Sequence, residues 1–256
     1  MWTVCALYRF VSIPQAEAIR PAVKKLCQEQ EICGTILLAP EGINGTIAAP
    51  TEEAMAKVMA FLDEKFGVNQ GEVKYSTAAE KPFERLKVRL KNEIVTLRAP
   101  EADPTKQVGT YVSAEEWNEL ISDPEVILID TRNHFEVKMG QFEGAVDPLT
   151  TTFSEFPKFV QEHLDPAKHK KVAMYCTGGI RCEKASSYMM AHGFEKVYHL
   201  KGGILKYLEN IPEDQSKWEG SCFVFDERVA LGHGLKETGH DPVTSEARTR
   251  SGRTNW

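Results

Sequence analysis

The stretch Val172-Ala-Met-Tyr-Cys176-Thr-Gly-Gly-Ile-Arg181-Cys182-Glu-Lys-Ala-Ser186 constrains this chain more than any other. Its apolar start reads as a buried strand, Thr-Gly-Gly as a tight loop, and residues 183–192 as a helix. Cys176 is then the last residue of the strand or the first of the loop. Backbone N–H groups of Thr177, Gly178, Gly179, Ile180, Arg181 and Cys182 can curl around its sulfur, as in an anion-binding nest. The helix N-terminus adds roughly half a positive charge, and Arg181 adds a full one. Such surroundings favour the thiolate, the reactive form of cysteine. Cys176 is therefore expected to be nucleophilic or sulfur-carrying. The bland reading of a free cysteine, a small buried hydrophobe, is taken for Cys5, Cys27 and Cys33.

With 256 residues, the chain has room for one large domain or two ordinary ones. A hydrophobic share of 42% and a charged share of 27% are those of a soluble globular protein. No apolar run reaches the length of about 18 residues that a membrane span needs, so no membrane association is expected. The start lacks a basic segment followed by an apolar one, so no secretory signal is read there. The six cysteines are accordingly expected to be reduced thiols, and the location cytoplasmic. A net charge of −6 gives no global attraction to nucleic acid, which would need a local basic patch.

Residues 1–98 read as β-α-β-β-α-β, the order of a ferredoxin-like α+β sandwich. Strands are expected over 2–11, from Cys33, after the Glu41-Gly-Ile-Asn turn, over 73–76 and over 86–97. Helices are expected from Pro14 to Gln28 and from Thr51, the second with Thr51 as N-cap. A linker at 99–110 contains two prolines. Residues 111–212 then alternate strands and helices, an α/β domain with a parallel sheet. Ser113 and Glu116 there form a capping box. The near-continuous apolar run 126–130 suits a strand covered on both faces. Ligands of such sheets sit beyond the carboxyl ends of the strands, so the Asp130 turn and the Cys176 loop should face one pocket. Residues 213–256 read as a partly flexible extension. In it, 221–226 is a candidate strand, and His233 and His240 are read as solvent-exposed. No paired Cys/His spacing points to a metal site.

The second domain resembles a rhodanese (sulfurtransferase) domain. The resemblance rests on Leu128-Ile-Asp130-Thr-Arg132-Asn-His-Phe-Glu136, Gly140-Gln-Phe-Glu-Gly-Ala145, the Cys176 unit and Lys201-Gly202-Gly203-Ile204. It implies a Cys176 able to carry a persulfide, with Asp130 and Arg132 at the pocket floor. A buried ion pair serving as a brace is an equal reading of those two. Related phosphatase domains place five residues between cysteine and arginine. Only Thr177, Gly178, Gly179 and Ile180 separate Cys176 from Arg181 here, which fits a sulfur rather than a phosphoryl group. Cys182 is read either as a helix-start residue pointing into the core or as an auxiliary thiol for an oxidised Cys176.

The whole chain is similar to a narrower family, the bacterial tRNA uridine(34) hydroxylases (UPF0176) with an acylphosphatase-like N-terminal domain. Glu41-Gly-Ile-Asn-Gly-Thr-Ile, the segment from Lys81 to Val95, the two pocket motifs and Cys222-Phe-Val-Phe-Asp-Glu-Arg-Val carry this similarity. The resemblance implies conversion of the wobble uridine of tRNA to 5-hydroxyuridine, with molecular oxygen as co-substrate and Cys176 catalytic. No flavin, nicotinamide or iron site is visible, and no protein partner is identified. Many members continue into a cysteine-rich tail, which residues 246–256 do not resemble. For tRNA contact the candidates are Arg85, Lys87, Arg89 and Lys91, placed by alternation on one side of a strand, with Lys81, Phe83 and Arg98 nearby. Their plain reading is a solvated strand face. Lys184 and Lys201 are expected near the pocket, where they would meet a phosphate. The competing functions are a sulfurtransferase using a Cys176 persulfide and a non-catalytic RNA- or protein-binding module.

Overall fold

The computed structural model describes residues 1–238, and the chain divides into two compact units between Thr96 and Leu97. In the first, β1 (Trp2–Phe10), α1 (Ala16–Glu29), β2 (Cys33–Ala39), β3 (Gly42–Ala49), α2 (Glu52–Phe66) and β4 (Glu72–Ala78) follow the expected order. A further strand, β5 (Leu86–Leu90), pairs in parallel with β2 and completes a five-stranded sheet, β4-β1-β3-β2-β5. Cys5, Leu7, Ile36, Leu38, Ile43 and Ile47 point to the helix side, where Val23, Val58 and Leu62 cover them. The Thr51 hydroxyl accepts from Ala54 N–H at 3.1 Å, as its N-cap position requires, and Gly67 closes the helix in the left-handed region.

β5 ends at Leu90, short of the expected strand to Leu97. The reason lies in a turn distant in sequence. The Glu41 carboxylate accepts from the Ile94 N–H at 2.6 Å, and the Asn44 amide donates to the Ile94 carbonyl at 2.9 Å. Ile94 is thereby satisfied by side chains of the Glu41–Asn44 turn and leaves the strand ladder. Within β5, Leu86, Val88 and Leu90 pack toward the helix-side core, so Lys87 and Arg89 lie on the other face. The backbones of Arg85 and Lys91 still bond to β2 on either side. Phe83 is no free aromatic among charges: it packs with Trp2 on a small cluster of Val4, Cys33, Ala48 and Ala78.

The second unit holds an all-parallel four-stranded sheet, β6-β10-β9-β7, from β6 (Thr110–Val112), β7 (Val126–Asp130), β9 (Lys171–Tyr175) and β10 (Lys196–Leu200). Its helices are α3 (Ala114–Leu120), α4 (His134–Val137), α5 (Phe156–His163), α6 (Ile180–Ala191) and α7 (Gly203–Asn210). The Ser113–Glu116 capping box forms as expected. The aromatic centre of the core is Phe142, on the short strand β8 (Gly140–Phe142). Its ring meets Tyr175, Tyr207 and Trp218 edge-on at 4.8, 4.7 and 5.1 Å.

Trp218 belongs to the C-terminal extension, in which 221–226 is a candidate strand. A strand does form there: β12 (Cys222–Phe223) pairs in a hairpin with β13 (Ala230–Leu231), and β11 (Trp218–Gly220), not expected, pairs with β8. Trp218, Cys222, Val224 and Leu231 are members of the second core. This segment is part of the second unit because its alternate apolar residues fill that core. His233 is also half-buried in a short 3-10 turn rather than solvent-exposed, with its Nε2 buried. The rest of the polar tail, with His240, lies outside the described residues.

Trp218→Ala should cost about 3–5 kcal/mol, the usual range for a large aromatic removed from a core, read from urea unfolding. A loss below about 1 kcal/mol, the scale of an ordinary surface change, would show that the segment is peripheral after all.

Candidate functional site

β7 and β9 are neighbours, with Asp130 opposite Tyr175 in register. The two loops that leave their carboxyl ends therefore start side by side, as the motif order implies. Thr131 ties them together: its N–H and its hydroxyl both donate to the Tyr175 carbonyl at 3.0 Å.

The helix after the loop begins at Ile180, three residues earlier than expected. Sequence signals miss this start because its cap is Gly179, at φ 103°, with no capping side chain. Arg181 and Cys182 consequently lie inside the first turn of α6. The Cys176 sulfur accepts from the Gly179 N–H at 3.1 Å, while the Cys182 N–H donates to the Gly179 carbonyl at 3.0 Å. Of the amides expected to curl round the sulfur, that of Gly179 makes the direct hydrogen bond, and Cys182 further lowers the Cys176 pKa from the first turn of the helix. Thr177, Gly178 and Ile180 form the half-buried outer surface of the loop, while Cys176 itself is 1% exposed.

The carbonyls of this loop have to point away from the sulfur, and α7 takes them. Ile204 N–H donates to the Cys176 carbonyl at 2.9 Å and Leu205 N–H to the Thr177 carbonyl at 3.1 Å. These are helix-start amides with no partner of their own in the helix. Gly203 permits the approach: at φ 64°, a Cβ there would fall 2.5 Å from the Cys176 carbonyl oxygen and 2.6 Å from that of Thr177. Lys201-Gly-Gly-Ile thus serves the cysteine loop directly, with the exposed Lys201 at its edge.

The two arginines are held differently from each other. Arg132 is wholly buried and bound to Asp130 through Nε (3.0 and 3.1 Å) and Nη2 (2.6 Å). It also donates to the carbonyls of Gly140 and Glu136 and lies 5.1 Å from the centre of the Trp218 ring. With those donors engaged, the pair braces the turn after β7. Arg181 does not present a free charge to the sulfur. Its two terminal nitrogens hold the Glu136 carboxylate at 2.7 and 2.8 Å, and Glu136 is completely buried. Burial pushes the Glu136 carboxyl up, but the Arg181 and Arg132 guanidinium groups outweigh it and hold it below the usual range. Residue order alone does not point to this role for Glu136. The signal within reach is the capping-box spacing Asn133-x-x-Glu136, and Glu136 does accept from the Asn133 N–H at 3.0 Å.

The sulfurs divide clearly. Burial raises Cys5, Cys27 and Cys222 to about 12 and also raises Cys33. Cys182 is pushed up by burial and by its bond to Cys176. Cys176 alone moves down, to about 6. Burial opposes that shift, but the Cys182 side chain, the charge of Arg181 and the amides of Cys182 and Gly179 overcome it. The surroundings thus favour a thiolate on Cys176 and a protonated thiol on Cys182. The Cys182 sulfur also lies 3.4 Å from the Thr131 hydroxyl.

Lys184, expected to meet a phosphate, is instead buried within α6 at 2% exposure. Arg85 is exposed, whereas Lys87, Arg89 and Lys91 are half-buried on the first unit's sheet. Two further features border Glu136 on α4. His134 Nδ1 lies 2.6 Å from the Asp147 carboxylate, and Phe135 packs edge-on against Phe223. Among the described residues, no group of three or more His, Cys, Asp or Glu is placed to hold a metal ion, and no helix is long and apolar enough to cross a membrane.

Two family models together cover most of the chain. Residues 2–94 match the UPF0176 acylphosphatase-like domain, and residues 113–210 match the rhodanese-like domain. The chain is a UPF0176 rhodanese-domain protein. Among solved structures, a rhodanese-like domain from Anabaena is 19% identical, with a TM-score of 0.36, over 43% of this chain and 78% of that one. An acylphosphatase from Coxiella burnetii is 14% identical, with a TM-score of 0.27, over 34% of this chain and 93% of that one. The UPF0176 family corresponds to the tRNA hydroxylase family that the sequence resembles.

Arg181→Met removes a cation beside Cys176 and leaves the buried Glu136 carboxylate unpaired. Both changes disfavour the thiolate, so the pH profile of Cys176 alkylation should move to higher pH. Stability should fall by about 3–5 kcal/mol, as when a buried pair is deprived of one partner. An unshifted alkylation profile would show that Arg181 does not support the thiolate.

Proposed function

We propose that this UPF0176 protein hydroxylates the wobble uridine of tRNA to 5-hydroxyuridine, with molecular oxygen as co-substrate and Cys176 as the catalytic residue. The observation that carries this reading is the buried Cys176 sulfur at the start of the rhodanese loop, accepting from the Gly179 N–H with its pKa drawn down to about 6. The family correspondence supplies the substrate. A thiolate is a soft nucleophile able to add to C6 of a uracil ring, which makes C5 electron-rich and open to oxidation. A base flipped out of the anticodon loop would have to part the groups that cover the sulfur, as base-modifying enzymes do when they enclose a nucleotide.

Phosphate chemistry is disfavoured by the same geometry. Arg181, the residue that would grip a phosphoryl group, has both terminal nitrogens on Glu136. For tRNA contact, Lys87 and Arg89 on the edge strand β5, with Arg85 and Lys91 flanking it, remain the proposed phosphate-binding set, with Lys201 beside the cysteine loop. Neutralising any one of these cations should lower the salt dependence of binding by roughly one unit of slope. A second reading, sulfur transfer through a Cys176 persulfide, is favoured by the Gly179 amide on the sulfur, which suits a persulfide anion equally well.

Mass spectrometry of tRNA nucleosides from cells lacking the gene, complemented with wild type or Cys176→Ser, separates these readings. Hydroxylation predicts that 5-hydroxyuridine returns with wild type, while Cys176→Ser lowers the activity on the order of 10³-fold or more. Restoration of 5-hydroxyuridine by Cys176→Ser, with loss of labelled-sulfur transfer to a thiol acceptor, would instead establish the sulfurtransferase.

A further inference from the structure

Hydroxylation by molecular oxygen leaves an electron requirement that the site itself can meet. Replacing C5–H by C5–OH places one oxygen atom in the product and releases the other as water. Reducing that second atom takes two electrons and two protons beyond what the uridine gives. The described residues offer an unusual source. Cys182 is fully buried in the first turn of α6, three residues beyond Gly179, whose N–H donates to the Cys176 sulfur at 3.1 Å, and the two sulfurs shift each other's titration. The neighbouring Thr131 hydroxyl, anchored on the Tyr175 carbonyl, holds the other side of the Cys182 sulfur at 3.4 Å. Cys5, Cys27 and Cys33 belong to the other unit, and the Cys222 thiol donates to the Phe223 carbonyl at 3.7 Å.

We propose that Cys182 is the second redox thiol of the reaction, and that closure of a Cys176–Cys182 disulfide supplies the two electrons for hydroxylation. This inference rests on the hydroxylase reading. The balance is uridine C5–H plus O2 plus two thiols, giving C5–OH, water and one disulfide. The C5–H, O–O and two S–H bonds break, while C5–O, S–S and the O–H bonds of water and product form. Oxygen is reduced, and C5 and the two sulfurs are oxidised. One thiol proton belongs to Cys182; the other is the proton that Cys176 has released on becoming a thiolate, drawn back from solvent. Disulfide closure brings the two sulfurs to the bond length of about 2 Å. The loop has space for that adjustment on its outer side, where a Cβ at Gly178 would have nothing within 4 Å. An external dithiol must then reduce the disulfide by thiol exchange before the next turnover.

The arrangement also assigns the order of events at the sulfurs. Cys176 is the thiolate and meets the substrate, whereas Cys182 keeps its proton until the oxidised intermediate forms. A persulfide mechanism needs no such second thiol, because a sulfane sulfur passes directly to its acceptor.

The test is a single turnover. Full-length protein is reduced, stripped of reductant without air, and mixed with unmodified tRNA in oxygenated buffer. The expected yield approaches one 5-hydroxyuridine per protein, matched by one Cys176–Cys182 disulfide in peptide mass spectra. Excess dithiothreitol should convert this burst into repeated turnover. Cys182→Ser, checked for an unchanged melting temperature, should lose the burst and recover product in part with added small thiol, which a merely misfolded site would not do. Should that variant prove unfolded, disulfide mapping of the wild type still decides. Product formed without reductant while both thiols stay free, or a full burst from Cys182→Ser, would overturn the inference and leave the hydroxylase reading intact. Absence of 5-hydroxyuridine even with excess dithiothreitol would overturn both.

Discussion

A sulfur anion with 1% exposure is cut off from nearly all water, and everything around Cys176 follows from replacing that water. A buried charge is tolerated only where donors and an opposing charge are fixed in place. Here the Gly179 amide faces inward because the loop carbonyls face outward, and they face outward because the first amides of α7 donate to them. That docking needs the bare α-carbon of Gly203. One helix start thus supplies a donor to the sulfur, and another keeps the acceptors away from it.

The charges are likewise fixed by their neighbours. Arg181 lies close enough to favour the thiolate, yet Glu136 fixes its orientation and tempers its field. Arg132 and Asp130, tied to the Gly140 carbonyl and the face of Trp218, hold the chain beneath Glu136. Trp218 arrives from residues beyond the rhodanese match, so the segment 218–231 is structurally continuous with the floor of the pocket. Cys222 is buried in the second core, and Phe223 packs on Phe135 beside Glu136.

Much of this was legible from residue order. A strand that runs into Cys-Thr-Gly-Gly and an apolar strand that ends in Asp130 fix their own neighbourhood, because parallel strands expose their carboxyl ends together. The Ser113 box and the Thr51 cap were readable for the same reason, since each is a local bond between near neighbours. What stayed hidden depends on partners far along the chain. The strand ends at Leu90 because of Glu41 and Asn44, whose side chains bond to Ile94 across 53 and 50 residues of sequence. The burial of Lys184 and the pairing of Arg181 with Glu136 are tertiary facts with no periodic signature. The early start of α6 escaped because a glycine at positive φ carries no side chain to announce a cap. The docking of Trp218 was masked by the polar residues that surround it.

At neutral pH the loop should hold Cys176 as a thiolate while the other five cysteines stay protonated. Ultraviolet titration of thiolate absorbance in the wild type, with Cys176→Ser as the difference, measures this directly. The predicted result is a single thiolate with a midpoint near pH 6 that vanishes in the variant. A difference spectrum that shows no thiolate until the ordinary cysteine range of about 8.5 would contradict it.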